Sequence, residues 1–316
     1  KGIENVDIFM DEVKGKEADF FTRKPLDLLS VVEFWKKNQR IGSRSELLQN
    51  LLTIKLELIE VGRDKCDLSL SKVLKGVQEI AAALTFVKKS KISVPDAKVN
   101  HEVLNIHQVL PDWTNDEITT LLNRAVFEPS AYGTVSFANR LLREYLTAQW
   151  VSIKYASKGS ENKLRSLFYS TTYGIEVPIQ TLKPILSWYA LMNNSFAEVV
   201  ANISPEVFIE DGDPSKLPIE QRQKLLEKFC EMVGATADSF ISFDANAIAR
   251  FSHPDMGSIF HSLLERYSSN KQLRQILLQM ALCIEAKECE DVACEISKAV
   301  EMDVLSKTLA VRLLKK

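Results

Sequence analysis

Ala125-Val126-Phe127-Glu128, the turn Pro129–Gly133, Thr134-Val135-Ser136-Phe137 and then Asn139-Arg140-Leu141-Leu142-Arg143 decide how this chain is read. Two short β-prone runs around a Pro/Tyr-Gly turn predict a hairpin. Asn139 follows as the expected N-cap of a helix running through Trp150 to about Tyr155. Upstream, Thr114-Asn115-Asp116-Glu117 has the form of a capping box and predicts a helix to Arg124. A short helix is expected over Val103–Val109, after a turn at Val94-Pro95-Asp96. A long helix is expected from about Ser71 to Lys88, apolar at Val73, Val77, Ile80, Ala81 and Leu84. Lys88, Lys89 and Lys91 at its end suit the helix dipole and read as a solvated helix terminus. Helix, helix, helix, hairpin, helix is the layout of a winged-helix domain, placed here at residues 63–157.

Residues 1–62 read as helical segments. Val6, Phe9, Met10 and Val13 lie on one helix face. Pro25 suits the first turn of a helix through Asn38, where its missing N–H costs nothing. Ser43-Arg44-Ser45-Glu46 is a second capping box, and Gly62 is expected to stop the helix it opens. Residues 158–316 read as helix after helix, with pieces near 179–192, 220–232, 257–267, 271–284, 290–300 and 303–314. Paired helices with short polar links predict an α-solenoid of HEAT-like helical hairpins. The fold class is therefore mainly α, with one small β-hairpin.

Composition supports this. The 316 residues contain 11 glycines and 10 prolines, too few for an all-β sandwich or barrel. A hydrophobic fraction of 46% with 26% charged residues is that of a globular chain. No apolar run approaches the roughly 18–20 residues of a membrane span. Five cysteines without C-x-x-C spacing suggest reduced thiols in a cytosolic protein. Lys1 opens the chain without a signal-peptide pattern, which reads as a piece of a longer protein. Residues 1–62 carry 10 basic and 11 acidic side chains, residues 63–157 carry 12 and 10, and residues 158–316 carry 18 and 21. That balance lacks the basic footprint of a nucleic-acid reader, so a protein-interaction or regulatory role is expected.

Catalytic motifs are sparse. Val6-Asp7-Ile8-Phe9-Met10-Asp11-Glu12 has the shape of a Walker B strand, but G-x-x-x-x-G-K-[ST] is missing and helical spacing already explains the apolar residues. His101, His107, His253 and His261 are scattered and predict no metal site. Trp35 and Trp150 sit at helical spacing among aliphatics, as core residues do.

Two stretches carry a family likeness. Arg23-Lys24-Pro25-Leu26-Asp27-Leu28, followed by Val32-Glu33-Phe34-Trp35 and Arg40-Ile41-Gly42-Ser43-Arg44, resembles the lid of bacterial NACHT-type STAND NTPases, relatives of the NOD-like receptors. Phe137-Ala138-Asn139 through Glu144-Tyr145-Leu146-Thr147-Ala148 resembles the signature that closes their winged helix. The resemblance implies that Pro25 packs on adenine. It also sets Asn139 where the family has a histidine that contacts the β-phosphate of ADP. Asn139 either donates a hydrogen bond to phosphate or only caps its helix; Arg140 would supply the positive charge asparagine lacks. On this likeness the chain is a fragment, with lid, winged helix and the start of a helical-repeat sensor. Its ATP/ADP-binding core would lie upstream, so the fragment itself holds no cofactor and is not catalytic. The implied setting is bacterial antiphage defence. The implied partners are that core, a protein ligand on the repeats and further copies in an activated homo-oligomer, with neither membrane nor nucleic acid. The rival reading is a freestanding α-solenoid scaffold that binds no nucleotide.

Overall fold

The computed structural model describes residues 3, 6–15, 18–57, 66–97, 101–131, 133–156, 159–235 and 241–315. Gly62 lies outside the described residues. The chain is mainly helical and divides into two compact units, Lys1–Leu164 and Arg165–Lys316.

The first unit begins with α1 (Val6–Gly15), α2 (Asp19–Thr22), α3 (Pro25–Asn38) and α4 (Arg44–Glu57). Phe9 meets Trp35 edge-on at 5.4 Å between ring centres, fastening α1 to α3. Ser43 and Glu46 form the expected reciprocal cap: Glu46 Oε2 accepts from Ser43 N at 2.8 Å, and Ser43 Oγ accepts from Glu46 N at 3.3 Å. Asn50 Nδ2 donates to both the carbonyl and the hydroxyl of Ser30, locking α4 to α3. Leu47, Leu48 and Leu51 are fully buried on the same helix, each worth about 1.5–3 kcal/mol of burial.

Next come α5 (Leu70–Phe86), β1 (Lys91–Ser93), β2 (Val103–Leu104), α6 (Ile106–Val109), α7 (Asn115–Leu122), β3 (Phe127–Ser130), β4 (Thr134–Phe137) and α8 (Arg140–Lys154). The hairpin forms, with Phe127 opposite Phe137 and Ser130 opposite Thr134. Its first strand starts two residues later than the sequence suggested and includes Pro129. Strand order β2-β1-β4-β3 puts β3 at the edge, where a proline leaves no ladder bond unmade. The sheet has four strands rather than two: β1 pairs antiparallel with β4 and parallel with β2. Val103–Leu104, expected as the start of a helix, is thus a strand, and the helix begins at Ile106. Asn105 caps it through His107 N. Thr114 and Glu117 form the second capping box. Lys89 donates to Val103 O at 3.0 Å, so only Lys88 of the basic cluster behaves as a plain exposed helix end. Arg124, buried, donates to Leu56 O at 3.0 Å and satisfies a carbonyl at the end of α4.

α9 (Glu161–Phe168) carries the chain into the second unit. There a second hairpin stands where only helices were expected: β5 (Tyr169–Thr172) pairs with β6 (Ile175–Pro178). Tyr173 and Gly174 both have positive φ, the two-residue turn that matches strand twist. The helices α10 (Lys183–Met192), α11 (Asn194–Ile203), α12 (Glu206–Glu210), α13 (Ile219–Gly234), α14 (Ala245–Phe251), α15 (Gly257–Arg266), α16 (Lys271–Ile284), α17 (Glu290–Lys298) and α18 (Val304–Leu314) follow. α10 packs on α11, α15 on α16, and α18 on both α16 and α17. The core holds Phe168, Trp188, Tyr189, Phe229, Phe251 and Phe260. No helix is long and apolar enough to cross a membrane among the described residues.

Candidate functional site

Lys24 is the N-cap residue of α3, with extended backbone and no side-chain bond to the helix end. Its ammonium spans the sequence to the hairpin and to the entry of α8. Nζ donates to Ala138 O at 2.6 Å and lies 2.9 Å from Glu128 Oε2. Pro25 follows as the first helical residue of α3. Asn139 follows Ala138 and is buried, its Oδ1 accepting from Leu141 N at 2.8 Å and Leu142 N at 3.3 Å. Pro25 and Asn139, which the sequence nominated separately, therefore adjoin a bonded pair, Lys24 and Ala138. Two helices of 14 and 15 residues begin within one lysine side chain of each other. Each helix has the positive end of its dipole at that terminus, the end at which an anion is favoured.

The three nominated residues differ in what they can offer. Asn139 spends its acceptor on capping, which leaves its Nδ2 as the group able to donate to a phosphate. Arg140 Nε donates to Glu144 Oε1 at 2.7 Å, while the side chain stays 74% exposed. Pro25 presents an apolar ring beside the lysine and carries no charge. Arg143, one turn beyond Asn139, adds a fourth group that spacing did not single out. It is half-buried, its Nε has no hydrogen-bond partner, and burial pulls its pKa below the usual guanidinium value. A desolvated guanidinium without a hydrogen-bonded carboxylate is a cation an anion would stabilise. Nothing in the pattern of residues could mark it, because burial and missing partners are tertiary properties. The role of Lys24 was equally hidden: in sequence it is only the residue before a proline.

Across the α3–α4 interface lies a buried ion pair. Lys55 Nζ sits 2.8 Å from Asp27 Oδ1, and both side chains are 3% exposed. The approach is an ion contact without hydrogen-bond alignment, so Oδ1 has no hydrogen-bond partner. Asp27 lies in the first turn of α3 and Lys55 in the last turn of α4, the helix ends their charges favour.

The Walker-like stretch is helical. Asp11 is exposed, and Glu12 Oε2 accepts from Ile41 N at 2.9 Å, holding the approach to α4. The histidines stay apart: His101 and His107 are exposed, His253 Nδ1 accepts from Asp255 N, and His261 Nε2 lies 3.2 Å from Asp291 Oδ2. Among the described residues, no three His, Cys, Asp or Glu side chains are placed to hold a metal ion. None of the five cysteines forms a disulfide. Compared with known proteins, the chain matches no family model, no curated protein and no solved structure.

Proposed function

We propose that residues 1–164 act as the lid and winged helix of a STAND-type switch, closing over ADP or ATP held by an NTPase core that these 316 residues do not contain. The Lys24–Ala138 bond supports this reading, because it brings the start of the helix headed by Pro25 beside the start of the helix that carries Asn139, Arg140 and Arg143. The lysine contacts are also suited to a switch. Both partners of the Lys24–Glu128 pair are about half exposed, and such pairs contribute about 1 kcal/mol or less. A nucleotide with unequal affinity for the closed and open states can overturn contacts of that size. In this reading the second unit is a HEAT-like α-solenoid that receives a protein ligand. Release of the lid then permits homo-oligomerisation, in the cytosol, as part of antiphage defence.

The test is nucleotide retention in a protein carrying both the core and this region. Pro25→Ala and Lys24→Ala should each lower the ADP that co-purifies; unchanged ADP content in both variants counts against the switch. A P-loop encoded within roughly 100–200 residues upstream of Lys1 supports it independently. The isolated 316 residues should not hydrolyse ATP. Steady turnover that is lost when Asp11 or Glu12 is changed would sink that expectation.

A scaffold that binds no nucleotide is the second reading, favoured by one observation: capping alone accounts for the Asn139 carbonyl. It predicts full partner binding by the chain without any nucleotide.

A further inference from the structure

The second unit contains a groove of about 610 Å³ between α16, the start of α18 and the approach to α14. Its apolar walls come from Ile241, Phe243, Ile276, Val304 and Leu305. Ile276 is buried at the floor, whereas Val304 is 81% exposed and Leu305 46%. Apolar side chains so open to water at the mouth of a groove have surface to gain from a partner.

Charge narrows what that partner is. Asp303 is the carboxylate in the groove lining, and it is committed: it lies 2.6 Å from Arg274 Nη2 and accepts from Ser306 Oγ at 2.7 Å and Gln275 Nε2 at 2.8 Å. Lys271, at the same mouth, is exposed and has neither an ion pair nor a hydrogen bond among the described residues. The charge left to a ligand is therefore positive. Gln279, half-buried along the same face of α16, likewise has no side-chain partner among the described residues. An amide can both donate to and accept from a peptide main chain.

We infer that this groove binds a segment of another protein bearing a bulky aliphatic or aromatic side chain beside an Asp or Glu. The apolar side chain would lie against Ile276, Val304 and Leu305, the carboxylate would pair with Lys271, and the main chain would meet Gln279. The inference stands apart from the nucleotide reading, since every lining residue belongs to residues 165–316.

The experiment titrates the full chain with two fluorescein-labelled peptides, acetyl-Glu-Asp-Leu-Phe-Leu-amide and acetyl-Lys-Lys-Leu-Phe-Leu-amide, read by anisotropy. Methyl and side-chain amide NMR signals of Ile276, Leu305 and Gln279 locate the site. The acidic peptide should bind and shift those signals, with the basic peptide weaker by about three- to tenfold, the size of one exposed ion pair and its reversal. Lys271→Glu should invert that preference, and Val304→Asp, at an exposed position that leaves the fold intact by circular dichroism, should weaken both peptides. No binding of the acidic peptide at millimolar concentration overturns the inference. So does equal binding of both peptides that Lys271→Glu leaves unchanged. Decanoate binding at these signals without peptide binding also overturns it, in favour of a small amphipathic acid.

Discussion

The pair Asp27–Lys55 gives the sharpest test of how the first unit is held together. Lys55→Met keeps the length and apolar stem of the side chain but removes its charge. Asp27 then stays 2% exposed, beside α4, with no cation in contact. Breaking a buried pair from one side costs about 3–5 kcal/mol, because the remaining charge is uncompensated. Removing both charges is different. Since Asp27 Oδ1 lacks a hydrogen bond even in the intact pair, desolvation is incompletely offset, and apolar replacement of both partners should recover most of the loss. Amide hydrogen exchange over residues 25–38 and 44–57 measures this locally, without assuming that two units unfold together. In Lys55→Met, exchange in both helices should quicken by about 150- to 5,000-fold, the factor that corresponds to that energy. In Asp27→Leu/Lys55→Met it should return to within about tenfold of the unmodified protein. A single variant that quickens less than tenfold, or a double variant as fast as the single one, refutes the reasoning. Either result would mean that the pair is wetter than its burial implies or that shape governs the site.

Four further outcomes follow. Burial alone would raise the Asp303 carboxyl, but hydrogen bonds from Ser306, Arg274 and Gln275 overcome this and hold it far below the usual carboxylate range. Its stabilisation is thus complete above the unfolded value of about 4 and fades as acid approaches the depressed folded value; thermal scans of Asp303→Asn should show a deficit at pH 7 that shrinks by pH 3. Gly212 has φ +73°, and an added Cβ would collide with Ser187 Oγ and crowd Leu191. Gly212→Ala should therefore cost at least about 1–2 kcal/mol from backbone handedness alone, read as earlier urea unfolding of the second unit. Asn139→Ala should cost about 1 kcal/mol through the lost cap, read as faster exchange at the start of α8. Asn139→His, in a protein carrying the NTPase core, should raise ADP retention; unaltered retention would leave Asn139 as a helix cap.

The features legible in the chain before folding were local. Ser43 with Glu46, Thr114 with Glu117, Pro25 at the head of α3 and Asn139 at the head of α8 could all be read off, because a cap is made within three residues of itself. The hairpin of β3 and β4 was legible for the same reason. The β5–β6 hairpin also had a local signal, Tyr-Ser-Thr-Thr before Tyr-Gly and Ile-Glu-Val after it, which a helical expectation for the whole region obscured. Tertiary structure alone decided the rest. Strands of three and two residues at Lys91–Ser93 and Val103–Leu104 are too short to show alternation; the first exists because β4 lies beside it, and the second because it pairs with the first. Lys24 reaches Ala138 across 114 positions, and Lys55 reaches Asp27 across a helix interface. Free energy of that kind depends on burial and proximity between distant residues, neither of which leaves a period in the sequence.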